Sequence, residues 1–259
     1  MKSKYIRFFI AVLIGTTVFA FTGGCSGTSS KPENKLPFQQ ENVTPAVGKK
    51  DSVSEEEKYY GYRNGDVFLQ QYRNNALVKQ IILVEQAKET VSRGTLFLLE
   101  KINGNEWQER LQCDAYLGKN GIDKTQEGDR RTPTGDYGMC MAFGAKEDPG
   151  SLVPYTKLTD TMYLCGDKEY YNQFIDVSKI NHRCSNNSEH LIRYIPQYNY
   201  ALIFDYNKEN VYGKGSAIFL HCFGSYPYTL GCISVAEENM IKILKTVDRN
   251  ARICIYPGK

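Results

Sequence analysis

A cysteine and a histidine stand close together near the carboxyl end of the chain, in a segment rich in turn-forming residues. Cys232 follows Gly231, and His221 lies eleven residues upstream. A thiol beside an imidazole base is a known form of activated nucleophile. Glycine lets the backbone approach a substrate closely, and N–H groups beside the cysteine can form an oxyanion hole. These residues support acyl-transfer chemistry and an unreactive buried cysteine about equally.

The elements around this pair are predicted to be a strand, a loop and a helix. Residues 217–220 are an apolar run typical of a buried strand that ends at His221, and glycines and a proline in 223–231 turn the chain back. Ser234 and Glu237 have the spacing of a helix capping box, which predicts a helix at about 235–248. A helix starting just after Cys232 would favour the thiolate, so we expect a lowered thiol pKa.

The first 25 residues predict export from the cytoplasm. A basic start is followed by the apolar stretch 8–21, which is short for a membrane span and typical of a signal peptide. Thr22-Gly-Gly-Cys25 resembles a bacterial lipobox, in which lipid on Cys25 would anchor the chain to the membrane. Ordinary cleavage and an uncleaved anchor are the alternatives. All three place the chain outside the cytoplasm.

Beyond this signal the charges balance. The chain has 32 basic and 29 acidic side chains, and three of the basic ones belong to the signal. No basic stripe remains, so we expect no nucleic-acid partner.

Eight cysteines are many for one exported chain. Cys165 and Cys184 flank a polar insert and are the first pair that we expect to form a disulfide. The other pairings stay open, and an anaerobic environment would leave all the thiols reduced.

The rest of the chain divides into a linker and one domain. Residues 26–57 are polar and proline-containing, which predicts a disordered tether, and residues 58–259 can fill one core. Short apolar runs separated by turn signals predict a mainly β (α+β) domain, a sandwich or closed sheet with a few peripheral helices. The predicted strands include residues 81–84, 96–99, 191–195, 201–204, 217–220 and 252–256.

A second motif lies about a hundred residues before the cysteine. Glu127-Gly-Asp-Arg-Arg-Thr-Pro-Thr-Gly-Asp-Tyr137 contains a proline that fixes φ and a glycine that frees the backbone, just before a strand predicted near Tyr137. On chemistry alone this segment is a rigid turn.

The two motifs together resemble one family. Gly128-Asp-Arg-Arg-Thr-Pro-Thr-Gly-Asp-Tyr137 resembles the GDGxTPTGxF segment of the YkuD-like L,D-transpeptidase catalytic domain. His221 and Thr229-Leu-Gly-Cys-Ile-Ser234 resemble its His…Ser/Thr-His-Gly-Cys-Ile/Val signature, in the expected order, and the resemblance covers roughly residues 75–259. It implies a β-sandwich-like domain that acts on peptidoglycan stem peptides.

The resemblance also implies roles for individual residues. Cys232 would be the nucleophile, His221 the general base and acid held by a backbone carbonyl, and Gly231 part of the oxyanion hole. Cys232 would attack the third stem residue, release D-alanine and leave a thioester. A second stem's amine would then form a cross-link between two third-position diamino acids.

Three alternatives remain open. Water as acceptor would make the same site an L,D-carboxypeptidase, and cleavage of existing links would make it a cell-wall amidase. Leu230 replaces the second histidine of the signature and Ser234 replaces a frequent arginine, which motivates a catalytically silent wall-binding lipoprotein.

Other candidates have more ordinary alternatives. Tyr226, Tyr228 and Thr229 are predicted to contact the stem peptide or simply to pack the loop. Cys222 is expected to be buried because it follows His221 on a strand. His182, Cys184 and His190 could form part of a zinc site, but no fourth ligand is apparent. We therefore expect no metal and no cofactor.

Overall fold

A computed structural model of the chain describes residues 65–258. The predicted signal peptide 1–25 with Cys25, the linker 26–57 and the start of the predicted domain at residue 58 lie outside the described residues. Among the helices described, none combines the length and the hydropathy needed to cross a membrane.

The described part of the chain is mainly β, as the sequence predicts. It contains twelve strands and two α-helices. The helices are α1 Asp66–Tyr72 and α2 Glu237–Thr246. The strands are β1 Gln80–Gln86, β2 Arg93–Ile102, β3 Glu106–Tyr116, β4 Gly135–Gly144, β5 Tyr155–Lys157, β6 Met162–Cys165, β7 Gln173–Asp176, β8 Glu189–His190, β9 Ala201–Phe204, β10 Phe219–Cys222, β11 Ile233–Val235 and β12 Arg252–Pro257.

Nine strands form one sheet that closes on itself. Their order is β12-β1-β2-β3-β11-β10-β9-β4-β5. Strand β12 pairs in parallel with β1 and antiparallel with β4, so eight strands make a ring and β5 extends β4. Of the two predicted β architectures, the sandwich and the closed sheet, the hydrogen bonding corresponds to the closed sheet.

Successive side chains along β1 point alternately into two apolar clusters. Ile82 and Val84 lie in the main core, whereas Ile81 and Leu83 face a second cluster beneath α1. All four side chains are fully buried, because both faces of β1 are covered. Each such side chain contributes roughly 1.5–3 kcal/mol relative to exposure. This double burial explains why the run is apolar without alternation.

The predicted capping box is wrong. Helix α2 begins at Glu237, its N-cap is Ala236, and no side chain caps it. Ser234 instead lies in β11, paired with His221 on one side and Tyr116 on the other. Strand pairing on both edges satisfies the backbone there, so the local helix signal is overridden.

A small three-stranded sheet, β7-β6-β8, accompanies the ring. It is followed by a 3₁₀-helix, Leu191–Arg193, where the sequence predicts a strand at 191–195, and that prediction is wrong. Leu191 is fully buried whereas Ile195 is about half exposed, so the apolar run does not share one buried face.

Candidate active site

Parallel pairing of β10 and β11 brings the predicted nucleophile and base onto one face. Leu220 pairs with Ile233 and His221 with Ser234, and Cys232 precedes β11 directly. Because strand side chains alternate, His221 and Cys232 point to the same side. Both line a cavity of about 390 Å³, here named the His221 cavity.

The His221 ring is held in the orientation that a general base needs. Its Nδ1 lies 2.7 Å from the carbonyl oxygen of Cys222. A carbonyl only accepts hydrogen bonds, so Nδ1 carries the proton and Nε2 is the basic nitrogen. Burial lowers the pKa of His221 to about 4, although the hydrogen bond to Cys222 opposes the shift. The imidazole is therefore neutral at pH 7 and able to accept a proton.

The Cys232 thiol is not an activated thiolate at rest. Burial and, next, the nearby Glu189 carboxylate raise its pKa to about 12. Its Sγ donates to the carbonyl oxygen of Ala217 at 3.0 Å and accepts from the N–H of Phe219 at 3.3 Å. The expected lowering of the pKa is wrong because β11 separates Cys232 from the start of α2. The resting pair is a neutral thiol and a neutral imidazole.

Two threonine hydroxyls hold the carbonyl oxygen of Cys232. Thr229 Oγ1 donates to it at 2.6 Å and Thr132 Oγ1 at 3.1 Å. Thr132 Oγ1 also accepts the N–H of Gly118 at 2.8 Å. Thr132 belongs to the segment 127–137 that the sequence predicts as a rigid turn, so the two motifs meet at the cysteine backbone.

Gly231 has a backbone conformation that a side chain would disturb. Its φ is +148°, and an added Cβ would lie 2.9 Å from Ile218 Cδ1 and 3.1 Å from the Arg131 carbonyl oxygen. Its N–H donates to Thr229 Oγ1 at 3.1 Å. In this resting arrangement Gly231 shapes the approach to Cys232, and its part in an oxyanion hole stays a prediction.

The three predicted substrate-contact residues border the His221 cavity. Tyr226 and Tyr228 stack with ring centroids 5.5 Å apart, and Tyr226 is 66% exposed. Thr229 is buried and its hydroxyl is engaged with Cys232. The tyrosines therefore present surface to a ligand, whereas Thr229 chiefly supports the cysteine.

A second cavity also has Cys232 in its lining. This space of about 580 Å³, here named the Lys124 cavity, is lined by Lys124 and Arg130 among others. Lys124 is nearly buried and pairs with Asp129 at 2.8 Å. Three residues line both cavities: Glu189, Leu230 and Cys232. Cys232 therefore lines both cavities.

Sequence reasoning did not identify Glu189 and Tyr198 as site residues. Tyr198 donates to Glu189 Oε2 at 2.6 Å, and its ring meets the His221 ring edge to face at 5.6 Å between centroids. Burial raises the pKa of Glu189 to about 7, while the Tyr198 hydrogen bond opposes the shift. Neither residue belongs to a motif, and no spacing rule marks them.

The other residues that the sequence analysis singled out lie away from the His221 cavity. Cys222 is buried in the main core, as expected. The His190 ring stacks on Tyr163, and its Nε2 lies 2.7 Å from the carbonyl oxygen of Asp160. Cys165 and His182 lie close together, and Cys165 and Cys184 are both free thiols, so the expected disulfide is not formed.

No protein-family model matches this sequence, and no curated protein matches it. Among solved structures, the chain is similar to a mutant of the helical cell shape determining protein Pgp2 from Campylobacter jejuni, with 18% sequence identity and a TM-score of 0.37. The similarity covers 75% of this chain and 55% of that chain. At this TM-score the similarity assigns no function to the chain.

Proposed function

We propose that the chain is an extracytoplasmic cysteine acyltransferase, a peptidoglycan L,D-transpeptidase in which Cys232 is the nucleophile and His221 the base. The observation that carries the proposal is the shared cavity of these two side chains, with Nδ1 of His221 fixed on the Cys222 carbonyl. The contact of Thr132 with the Cys232 carbonyl adds support, because it joins the two motifs on which the family resemblance rests.

The reaction starts from the neutral pair. On substrate binding, Nε2 of His221 takes the thiol proton while Sγ of Cys232 attacks the carbonyl carbon of the third stem residue. Collapse of the tetrahedral intermediate breaks the amide bond, and the imidazolium returns its proton to the amine of the departing D-alanine. A thioester remains. The side-chain amine of a second stem attacks the thioester and gives a proton to His221. The carbon–sulfur bond then breaks, and His221 returns the proton to Sγ of Cys232, which regenerates the thiol.

The two cavities support a reaction that involves two stem peptides. A transferase must hold a donor and an acceptor at one sulfur, and Cys232 borders both spaces. In the Lys124 cavity, Arg130 is a cation that suits a carboxylate of a stem peptide, whereas Lys124 is already paired with Asp129 and two acidic residues, Glu127 and Glu189, share the lining. The His221 cavity presents the Tyr226 and Tyr228 rings to the second stem peptide.

Muropeptides with tetrapeptide stems test the proposal. The full chain should release D-alanine and form dimers, and mass spectrometry should detect an acyl adduct on Cys232. Cys232→Ala should abolish all three, whereas Cys140→Ala should retain them, because Cys140 is an exposed thiol elsewhere on the molecule. If the wild type and Cys232→Ala give the same products, the proposal is wrong.

The same assay separates the alternatives. Trimmed monomers without dimers would identify an L,D-carboxypeptidase, and shortened cross-linked substrates an amidase. Absence of any adduct or product would leave a silent wall-binding protein. Mass analysis of the mature amino terminus from membranes shows whether Cys25 carries the proposed lipid anchor.

A further inference from the structure

A second cluster of sulfur and nitrogen atoms lies away from Cys232. Cys165 ends β6, and His182 and Cys184 lie in the loop between β7 and β8. One ligand atom from each of these residues lies within 4.8 Å of the other two. Cys165 Sγ is 3.4 Å from His182 Nε2, and that nitrogen is 3.1 Å from Asp167 Oδ2.

These separations match those of a tetrahedral zinc centre. Zinc–sulfur bonds of about 2.3 Å and zinc–nitrogen bonds of about 2.0 Å place sulfur and nitrogen roughly 3.5 Å apart at the tetrahedral angle. A carboxylate oxygen at about 2.1 Å would lie roughly 3.4 Å from the same nitrogen. Both observed distances agree to within a few tenths of an ångström.

We propose that Cys165, His182 and Cys184 bind one zinc ion, with the Asp167 carboxylate as the fourth ligand. The donor set is one that zinc prefers over magnesium or calcium, because two thiolates and an imidazole are soft to borderline ligands. Four protein ligands close the coordination sphere, so the site is structural. Asp167 already lies 3.1 Å from His182 Nε2 but outside the group of atoms within 4.8 Å of one another, so its carboxylate must move towards the two sulfurs to complete the site.

The surrounding groups are already arranged to orient the ligands. Ser188 Oγ donates to Cys165 Sγ at 3.7 Å and accepts from the N–H of Gly166 at 2.9 Å. The N–H and hydroxyl of Ser185 both bond to the Asp167 carboxylate, the N–H at 2.9 Å. The Tyr170 ring lies 4.5 Å from that of His182. Metal ligands are generally held by such outer contacts.

The loop is held by hydrogen bonds and not by apolar packing. Residues 177–188, all within the described range, contribute no side chain to the hydrophobic clusters, and none of them is buried. Yet this loop leads directly into Glu189, and Asn187 lines the Lys124 cavity beside Gly166. A zinc ion would fix this wall of the cavity in place.

Metal content of the full chain tests the proposal. Protein stripped with a chelator under reducing conditions, loaded with zinc chloride and dialysed, should hold about one zinc per chain. Cys184→Ser and His182→Ala should lower that to near zero, while Cys140→Ser should retain it. Asp167→Asn should need a zinc concentration roughly tenfold or more higher for half-loading.

Two further measurements keep the test independent of folding defects in the variants. In the wild type, zinc should protect the partly exposed Cys184 from alkylation but leave the exposed Cys140 reactive. Cobalt in place of zinc should give a thiolate-to-cobalt charge-transfer band. Zinc-free wild type after loading, full zinc content in Cys184→Ser, or a Cys165–Cys184 disulfide in protein isolated without reductant would each overturn the proposal.

Discussion

Two buried threonines fix the backbone of the cysteine without touching its sulfur. Thr132 and Thr229 reach the same carbonyl oxygen from segments that lie about a hundred residues apart. Their hydroxyls also accept N–H groups of Gly118 and Gly231. Each threonine therefore satisfies a backbone donor and a backbone acceptor at once, and both are expected to position Cys232 for attack.

Removing one hydroxyl should reveal this positioning role. Thr132→Val keeps the shape but leaves the Gly118 N–H and one lone pair of the Cys232 carbonyl unpaired, at a cost of about 1–3 kcal/mol in the free energy of unfolding. D-alanine release should fall as well. Thr132→Ser keeps the hydroxyl, so it should retain the stability measured by urea denaturation and the rate of D-alanine release.

Thr134→Val is the matched control. The Thr134 hydroxyl donates to Asp123 at 2.8 Å in an exposed contact, so its loss should change stability by well under 1 kcal/mol. Equal losses for Thr132→Val and Thr134→Val would argue against a special role for Thr132.

Loss of the imidazole should slow acylation rather than weaken binding. Among the described residues that line the His221 cavity, His221 and Glu189 are the two that could act as a base for Cys232. His221→Ala removes the imidazole, and we expect kcat for D-alanine release to fall by about 10²–10⁴. KM should change little. A kcat close to that of the wild type would exclude His221 as the base.

Glu189 should make stability depend on pH. Burial raises its pKa in the folded chain to about 7, above the ordinary value of 4.5. The folded chain therefore binds this proton more tightly than the unfolded chain, and stability is lost as pH rises from about 4.5 to 7, by up to about 3 kcal/mol.

Urea denaturation at pH 5 and pH 8 measures this loss. Glu189→Gln cannot ionise, so it should lose less stability than the wild type over the same interval and be the more stable of the two at pH 8. Parallel losses in the two proteins would show that Glu189 is not responsible.

The sequence indicates the proposed reacting pair but not its surroundings. Cys232 and His221 stand in one short segment with recognisable spacing. Glu189, Tyr198 and Lys124 come from three other segments and converge only in three dimensions. The direction of the thiol pKa was also beyond the sequence, because burial decides it and burial is a property of the whole fold.

At the scale of elements, close backbone approach joins the two motifs. Gly118 forms a parallel bridge with Thr229, and its N–H reaches Thr132. A Cβ on Gly118 would lie only 2.4 Å from the carbonyl oxygen of Arg130. No rotamer change relieves a clash with backbone.

Gly118→Ala should therefore separate the turn from the cysteine loop. We expect a loss of stability of about 1–3 kcal/mol from the overpacking, together with loss of D-alanine release. Gly138→Ala is the control, because its nearest contacts are 3.1 Å away and are the ends of the Arg252 and Asp205 side chains. Thermal unfolding of both variants should show the larger shift for Gly118→Ala.

Local sequence signals agree with the structure at one hairpin turn but not at the start of α2. The Asn103-Gly104 turn between β2 and β3 has both residues at positive φ, as its sequence indicates. Ser234 and Glu237 have capping-box spacing, yet β11 pairs with two neighbouring strands there. Partners distant in sequence determined that element, and a local pattern contains no information about them.

For the molecule as a whole, the last strand closes the ring. Strand β12 supplies Ile253, which pairs with Ile82 in β1 and Tyr137 in β4. The apolar run 252–256 predicts a strand, but only the structure shows that it has neighbours on both edges. Closure thus depends on the final few described residues.

Truncating one core side chain of this strand should cost more than an equal change on the surface. Ile253 is fully buried, so Ile253→Ala should lower the free energy of unfolding by about 2–5 kcal/mol. Val91 is 52% exposed, and Val91→Ala should change it by less than about 0.5 kcal/mol. Similar urea midpoints for the two variants would contradict the closed-ring core.

The parallel pairing of β10 and β11 limits how the loop between them can vary in length. Only residues 223–232 connect the two strands, fewer than the dozen or more usual for a return between parallel neighbours. The chain must travel back along the sheet within that length, so it has little slack. Deleting even two residues should break the pairing, whereas inserted residues should be accommodated near Tyr226, where the loop is open to solvent. Under the proposed function, a change of acceptor preference is therefore best sought by lengthening this loop.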